Sequence, residues 1–298
     1  MEPSPFVVFN TEGLYEAVDT YLWSIHGTDS ENSPFLTSNQ AFDFYAIDSW
    51  DVSRINDFSN LFDVERNELS RFFNANLSAW DVSKGIDMYE MFRGAEMFDQ
   101  DLSSWVVSKV TNMNSLFEGA STFSSDLSSW NVSNVEDMSN LFSGALLFDG
   151  DVSTWDVRNV KHMGAMFKMA TKFNGDISAW NVERVGTMRQ MFNDASSFAA
   201  NLSTWKVSNV RNMRSMFDGA SAFNGDLSLW DVSATITMQS MFKSSAFNQN
   251  LCAWGTVLPT NGIFVQDMFW GTNCQDLSDP ILSTTPAGPF CYSCTQSK

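Results

Sequence analysis

Aspartate and asparagine recur in this chain at a spacing that could do metal chemistry. Asp101, Asp126, Asp151, Asp176 and Asp226 occupy one position of a repeating pattern, with Asn76, Asn201 and Asn250 at the equivalent places. If successive copies of the pattern stack, these carboxylates come about 5 Å apart, and such a row could bind calcium between copies. The competing use is local, because Asp and Asn side chains bond backbone amides within their own turn. A second set of reactive groups lies at the C-terminal end, where Cys252, Cys274, Cys291 and Cys294 cluster in an otherwise cysteine-free chain. An even, clustered set points to disulfides formed in an oxidising compartment. Three pairings are open. We favour Cys252–Cys274 with Cys291–Cys294, which would pin the C-terminal segment to the last repeat. A four-thiolate zinc site is the rival, but only one C-x-x-C pair is present.

Nothing else in the chain assembles a reaction centre. The two histidines, His26 and His162, are far apart in sequence. No glycine-rich phosphate loop, nucleophile elbow or histidine metal motif occurs. Carboxylates are plentiful, and a pair of them can hydrolyse a glycosidic bond, but no pair stands out. The chain is therefore expected not to be an enzyme, with a carbohydrate-active enzyme as the remote alternative. It carries 35 Asp plus Glu against 17 Lys plus Arg, a formal charge of −18. That balance repels nucleic acid and anionic lipid, so neither is an expected partner. No stretch is apolar for long enough to span a bilayer. The opening MEPSPFVVFN lacks the basic segment and apolar run of a signal peptide.

The residues that must position these groups form a strict repeat. Trp80, Trp105, Trp130, Trp155, Trp180, Trp205 and Trp230 follow one another at steps of 25 residues, flanked by Trp50 and Trp254 at steps of 30 and 24. Val follows each of the seven by two residues and Met by eight; Phe and Ala columns keep the same register. The alternation S-x-W-x-V-x has period two and predicts a short strand with Trp and Val on one face. The spacing of Met163, Met166, Phe167 and Ala170 predicts a helix. The NGD and DGD segments predict turns. The expected fold is an α/β repeat solenoid of strand-helix-turn units carrying a parallel strand ladder. Its constant aromatic residues would be core, since an exposed stripe of nine Trp would be a large apolar liability.

The pattern F-N-x-D-[LI]-S-x-W-[DN]-V-S-x-V-x-x-M-x-x-[ML]-F-x-x-A resembles the BspA-like leucine-rich-repeat surface proteins, also described as the mycoplasma-type lipoprotein repeat. It runs from about Asp43 to Trp254. The resemblance implies a right-handed solenoid like that of leucine-rich repeats, a secreted or cell-surface location, and a role in adhesion or recognition without assigned catalysis. The departures are five extra residues between Trp50 and Trp80, and Gly85 in place of Val.

Three regions are expected: an N-terminal cap over 1–45, about nine repeat rungs over 46–254, and a C-terminal cap over 255–298. In the first, Thr11 would cap a helix bearing Leu14, Ala17, Val18, Tyr21 and Leu22, and the polar HGTDSENSPFLTSNQ would be a loop. The positions facing away from the core drift between units. Asp81, Asn131, Asp156, Asn181 and Asp231, each directly after a Trp, are the candidate binding residues for a protein or polysaccharide ligand. Lys and Arg are concentrated between Arg158 and Arg214, which makes the charge uneven along the chain. The sequons at Asn76, Asn131 and Asn201 arise from the repeat pattern itself.

Overall fold

The computed structural model describes residues 6–26, 46–259 and 262–294; the polar segment following His26 lies outside them. Among the described residues one α-helix forms, α1 (Thr11–His26), together with short 3-10 turns at Ile47–Ser49, Glu68–Phe72 and Cys252–Thr256. No run of the described residues makes a regular strand. The expected α/β solenoid of strand-helix-turn units is therefore not what the repeat builds. Each unit is a coil of successive turns, and the units stack in register.

The unit that follows Trp105 explains why both periodicities mislead. Its apolar spacing of three and four comes from overlapping three-residue turns. Leu116 N donates to Met113 O, Ala120 N to Phe117 O, and Phe123 N to Ala120 O, at 3.1 to 3.2 Å. The alternate amides point to the next unit: Met113, Ser115, Phe117 and Gly119 donate to Asp137, Ser139, Leu141 and Ser143. An α-helix would consume all of these donors internally and leave none to hold a neighbour. The turns require left-handed backbone at two places, Ser115 (φ 57) and Gly119 (φ 72). Glycine is the residue with no steric penalty there. The supposed strand also bends, since Trp105 N returns to Leu102 O and Val110 N to Val107 O. Trp105 and Val107 are both buried nonetheless. Parallel pairing occurs as one bridge per unit, seven residues past Trp, in the series Asp57, Asp87, Asn112, Asp137, His162, Thr187, Asn212 and Thr237.

The core is a set of aromatic files running along the stack. Every Trp of the column is buried, with Trp50 the most exposed at 6%. Trp155, Trp180, Trp205 and Trp230 lie with centroids 6.4 to 6.5 Å apart and planes within 5°, an offset-stacked arrangement. From Trp80 to Trp254 the indole N–H of each column member also crosses to the preceding unit. Trp155 Nε1 donates to Leu127 O at 3.0 Å and Trp180 Nε1 to Val152 O at 3.0 Å. Two Phe files run alongside, for example Phe142–Phe167–Phe192 and Phe148–Phe173–Phe198.

Both ends of the stack are covered. α1 buries Leu14, Val18 and Leu22. Its cap is Asn10 rather than Thr11: Asn10 Oδ1 accepts from Gly13 N at 2.8 Å. The Thr11 hydroxyl instead donates to Asp57 O at 3.1 Å, and the Tyr15 hydroxyl to Ser59 O at 2.6 Å, tying the helix to the first unit. Arg66 reaches back to Asp19 with a bidentate pair at 2.7 and 2.8 Å. Arg66 belongs to the longer first unit, so the extra residues between Trp50 and Trp80 serve this contact. At the other end the disulfides are Cys252–Cys294 and Cys274–Cys291. This corrects the favoured pairing. The tail folds back as an antiparallel arm, with Ile281 paired to Gly288 and Leu251 N bonded to Phe290 O. That return sets Cys291 beside Cys274 and Cys294 beside Cys252, so Cys291 and Cys294 each bond a distant partner instead of each other.

Candidate functional site

The structure places Asp101, Asp126, Asp151, Asp176 and Asp226 in exposed positions, one per unit. Each accepts a hydrogen bond from the backbone N–H two residues on. The donors are Ser103, Ser128, Ser153, Ser178 and Ser228, at 2.8 to 2.9 Å. Asn76, Asn201 and Asn250 make the same bond to residues 78, 203 and 252 at 2.9 Å. The row is thus a file of side-chain-closed turns. The Ser103 and Ser178 hydroxyls, followed by the backbone N–H, hold the carboxyls of Asp101 and Asp176 below the usual range. For Asp151 the Ser153 backbone N–H leads and its hydroxyl follows. Among the described residues no three His, Cys, Asp or Glu gather in a way that could hold a metal ion.

The candidate binding row after each Trp uses the same chemistry. Asp81, Asn131, Asn181 and Asp231 accept from Ser83, Ser133, Glu183 and Ser233 N at 3.0 to 3.1 Å. Asp156 takes the Arg158 side chain at 2.8 Å. The residues before Trp, expected from the sequence to belong to the outward-facing surface, stitch neighbouring units. The hydroxyls of Ser104, Ser129, Thr154 and Thr204 donate to carbonyls of the preceding unit at 2.6 to 2.8 Å. These two rows therefore form one continuous surface whose side chains are fixed by backbone bonds. A second ladder runs from Asn74, Asp99, Asp149 and Asn174, each accepting from a backbone N–H of the following unit. Its signal in the sequence is the Asn or Asp that follows the closing Phe.

The chain matches the family described as "Mycoplasma protein of unknown function, DUF285" over residues 32–153, 137–254 and 176–279. It belongs to this family. The three overlapping stretches of the DUF285 match cover the stacked units and the start of the C-terminal arm. Comparison with curated proteins and with solved structures finds no match. No helix among the described residues of this DUF285 chain is long and apolar enough to cross a membrane. Its two disulfides point to an oxidising, non-cytoplasmic compartment.

Proposed function

We propose that this chain is an extracellular or cell-surface recognition scaffold that holds a protein or polysaccharide ligand on its outer repeat surface and performs no catalysis. The observation that carries the reading is the division of labour within each unit. The recurring Trp, Val, Met and Phe columns are in the core. The small polar residues outside are pinned by backbone bonds into regular rows. A surface whose side chains are already ordered loses little conformational freedom when a ligand settles on it. The resemblance to BspA-like surface proteins supports the same reading, as do the disulfides. Labelled, disulfide-intact protein on glycan and extracellular-protein arrays tests it. Binding to members of one class, with the bound molecule recovered unchanged, is the expected result. Turnover of a bound glycan, or no binding on either array with and without calcium, would sink it.

A further inference from the structure

The face that carries the inter-unit bridges changes in charge along the stack. In the first units it presents acidic Asp57, Asp87, Glu136 and Asp137 interleaved with basic Arg54, Lys84 and Lys109. From His162 onward it presents Arg184, Arg189, Arg211 and Arg214, all exposed, beside Thr187, Asn212 and Thr237. Between residues 158 and 214 the only carboxylates are Asp176, Glu183 and Asp194. Asp176 closes a turn in the outer row, and Glu183 is taken by Lys206 at 2.7 Å. Among the described residues none of the four arginines forms an ion pair. Arg184 bonds the neutral Asn159 at 2.9 Å. Arg189 and Arg214, 25 residues apart on adjacent units, line one shallow depression with Asn212, Ile236, Thr237, Gln239 and Phe264. Phe264 is 55% exposed there, and Trp270 nearby in sequence is 58% exposed.

We infer that this strip, from His162 to Phe264, binds an acidic polysaccharide that carries carboxylate or sulfate groups on its sugars. The inference rests on the scaffold reading above and names its ligand class. Four unpaired guanidiniums in a chain of formal charge −18 are a local exception, and guanidinium is the side chain best matched to planar or tetrahedral oxyanions. Two guanidiniums on each of two adjacent units, with Arg189 and Arg214 in the same register, suit a short stretch of a polymer with recurring charges better than a single anion. The amide and hydroxyl groups of Asn212, Thr237 and Gln239 supply donors and acceptors for sugar hydroxyls. Exposed Phe264 offers a flat apolar surface to the C–H face of a sugar ring. Screening over about 8 Å at physiological salt lets a narrow chain lying along the strip feel the arginines. A nucleic-acid duplex, being broader, would also meet the field of a chain whose formal charge is −18.

The test uses the oxidised full chain and calorimetry against heparin, polygalacturonate, neutral dextran, duplex DNA and an acidic peptide. The acidic glycans should bind with an affinity that falls as salt rises, and the other three probes should not. Arg189→Glu with Arg214→Glu should weaken binding at least about tenfold, and the milder Arg189→Gln with Arg214→Gln should give an intermediate loss. Lys172→Glu, a single charge reversal at an exposed position outside the depression, should leave binding within about twofold. A loss as large in Lys172→Glu, or tighter binding of DNA or peptide, overturns the inference. So does array binding confined to neutral glycans or proteins, an outcome that leaves the scaffold reading standing. Silence on both arrays removes that reading as well.

Discussion

The smallest informative unit in this protein is a single Asp or Asn side chain closing a turn. The interchange of Asp and Asn at this position was legible in the sequence. So was its turn chemistry, because Asp and Asn side chains readily bond the backbone of their own turn. What could not be read is which backbone N–H each side chain takes, since that depends on local angles. A prediction follows from having both residue types in one row. The carboxyls of Asp101, Asp151 and Asp176 are held below their usual range by their serine partners. Their folded-state values thus lie below the unfolded value of about 4. The stabilisation is complete above that value and is lost as the pH falls through the folded-state values. Asn makes the same bond and does not titrate. The triple change Asp101→Asn, Asp151→Asn and Asp176→Asn should leave the melting temperature at pH 7 nearly unchanged. Below about pH 4 it should flatten the decline seen in the unaltered protein. Thermal melts across acidic pH decide it; parallel declines would show that the three carboxylates add nothing.

At the scale of elements, the repeat was plain and its secondary structure was not. Met163, Met166, Phe167 and Ala170 have helical spacing, yet Ala165 between them adopts φ 55, a conformation no α-helix contains. Three-residue turns bury the same positions that a helix would. Apolar spacing reports which side chains go inside and says nothing about where the amides go. Here half of the amides in that segment bind the next unit, a demand visible only once units are stacked. The Trp column was correctly legible as core, because strict recurrence of so large a side chain suits little else. Its polar role was not legible: from Trp80 on, each indole N–H bonds a carbonyl of the unit before. Trp155→Phe keeps a ring in the file but removes one of the two donors to Leu127 O, which still accepts from Trp130 N at 3.0 Å. Losing one hydrogen bond costs about 0.5–1.5 kcal/mol, and the unfilled volume adds to it, for an expected loss of about 1–3 kcal/mol. Denaturant titration measures this. A loss under about 0.5 kcal/mol would mean that the indole bond contributes nothing net.

For the whole molecule, stability is the sum of units and the contacts between nearest neighbours, so the two ends fail independently of the middle. Cysteine clustering made the C-terminal closure legible, while the pairing depended on a fold-back arm that carries no periodic signal. The uneven charge was also legible, but not which face it occupies, because that needs the path of the turns. Reducing both disulfides should remove about 2–4 kcal/mol each from the C-terminal closure. Hydrogen exchange should then accelerate over residues 264–294, while the amides of the central units stay protected. A uniform rise along the chain would contradict the nearest-neighbour picture. The indole file has an optical consequence as well. Near-parallel chromophores with centroids 6.4 to 6.5 Å apart share their excited states. Light absorbed at one rung can be emitted from another, so the protein carries a built-in antenna along its core, and loss of that coupling marks the point at which neighbouring units come apart.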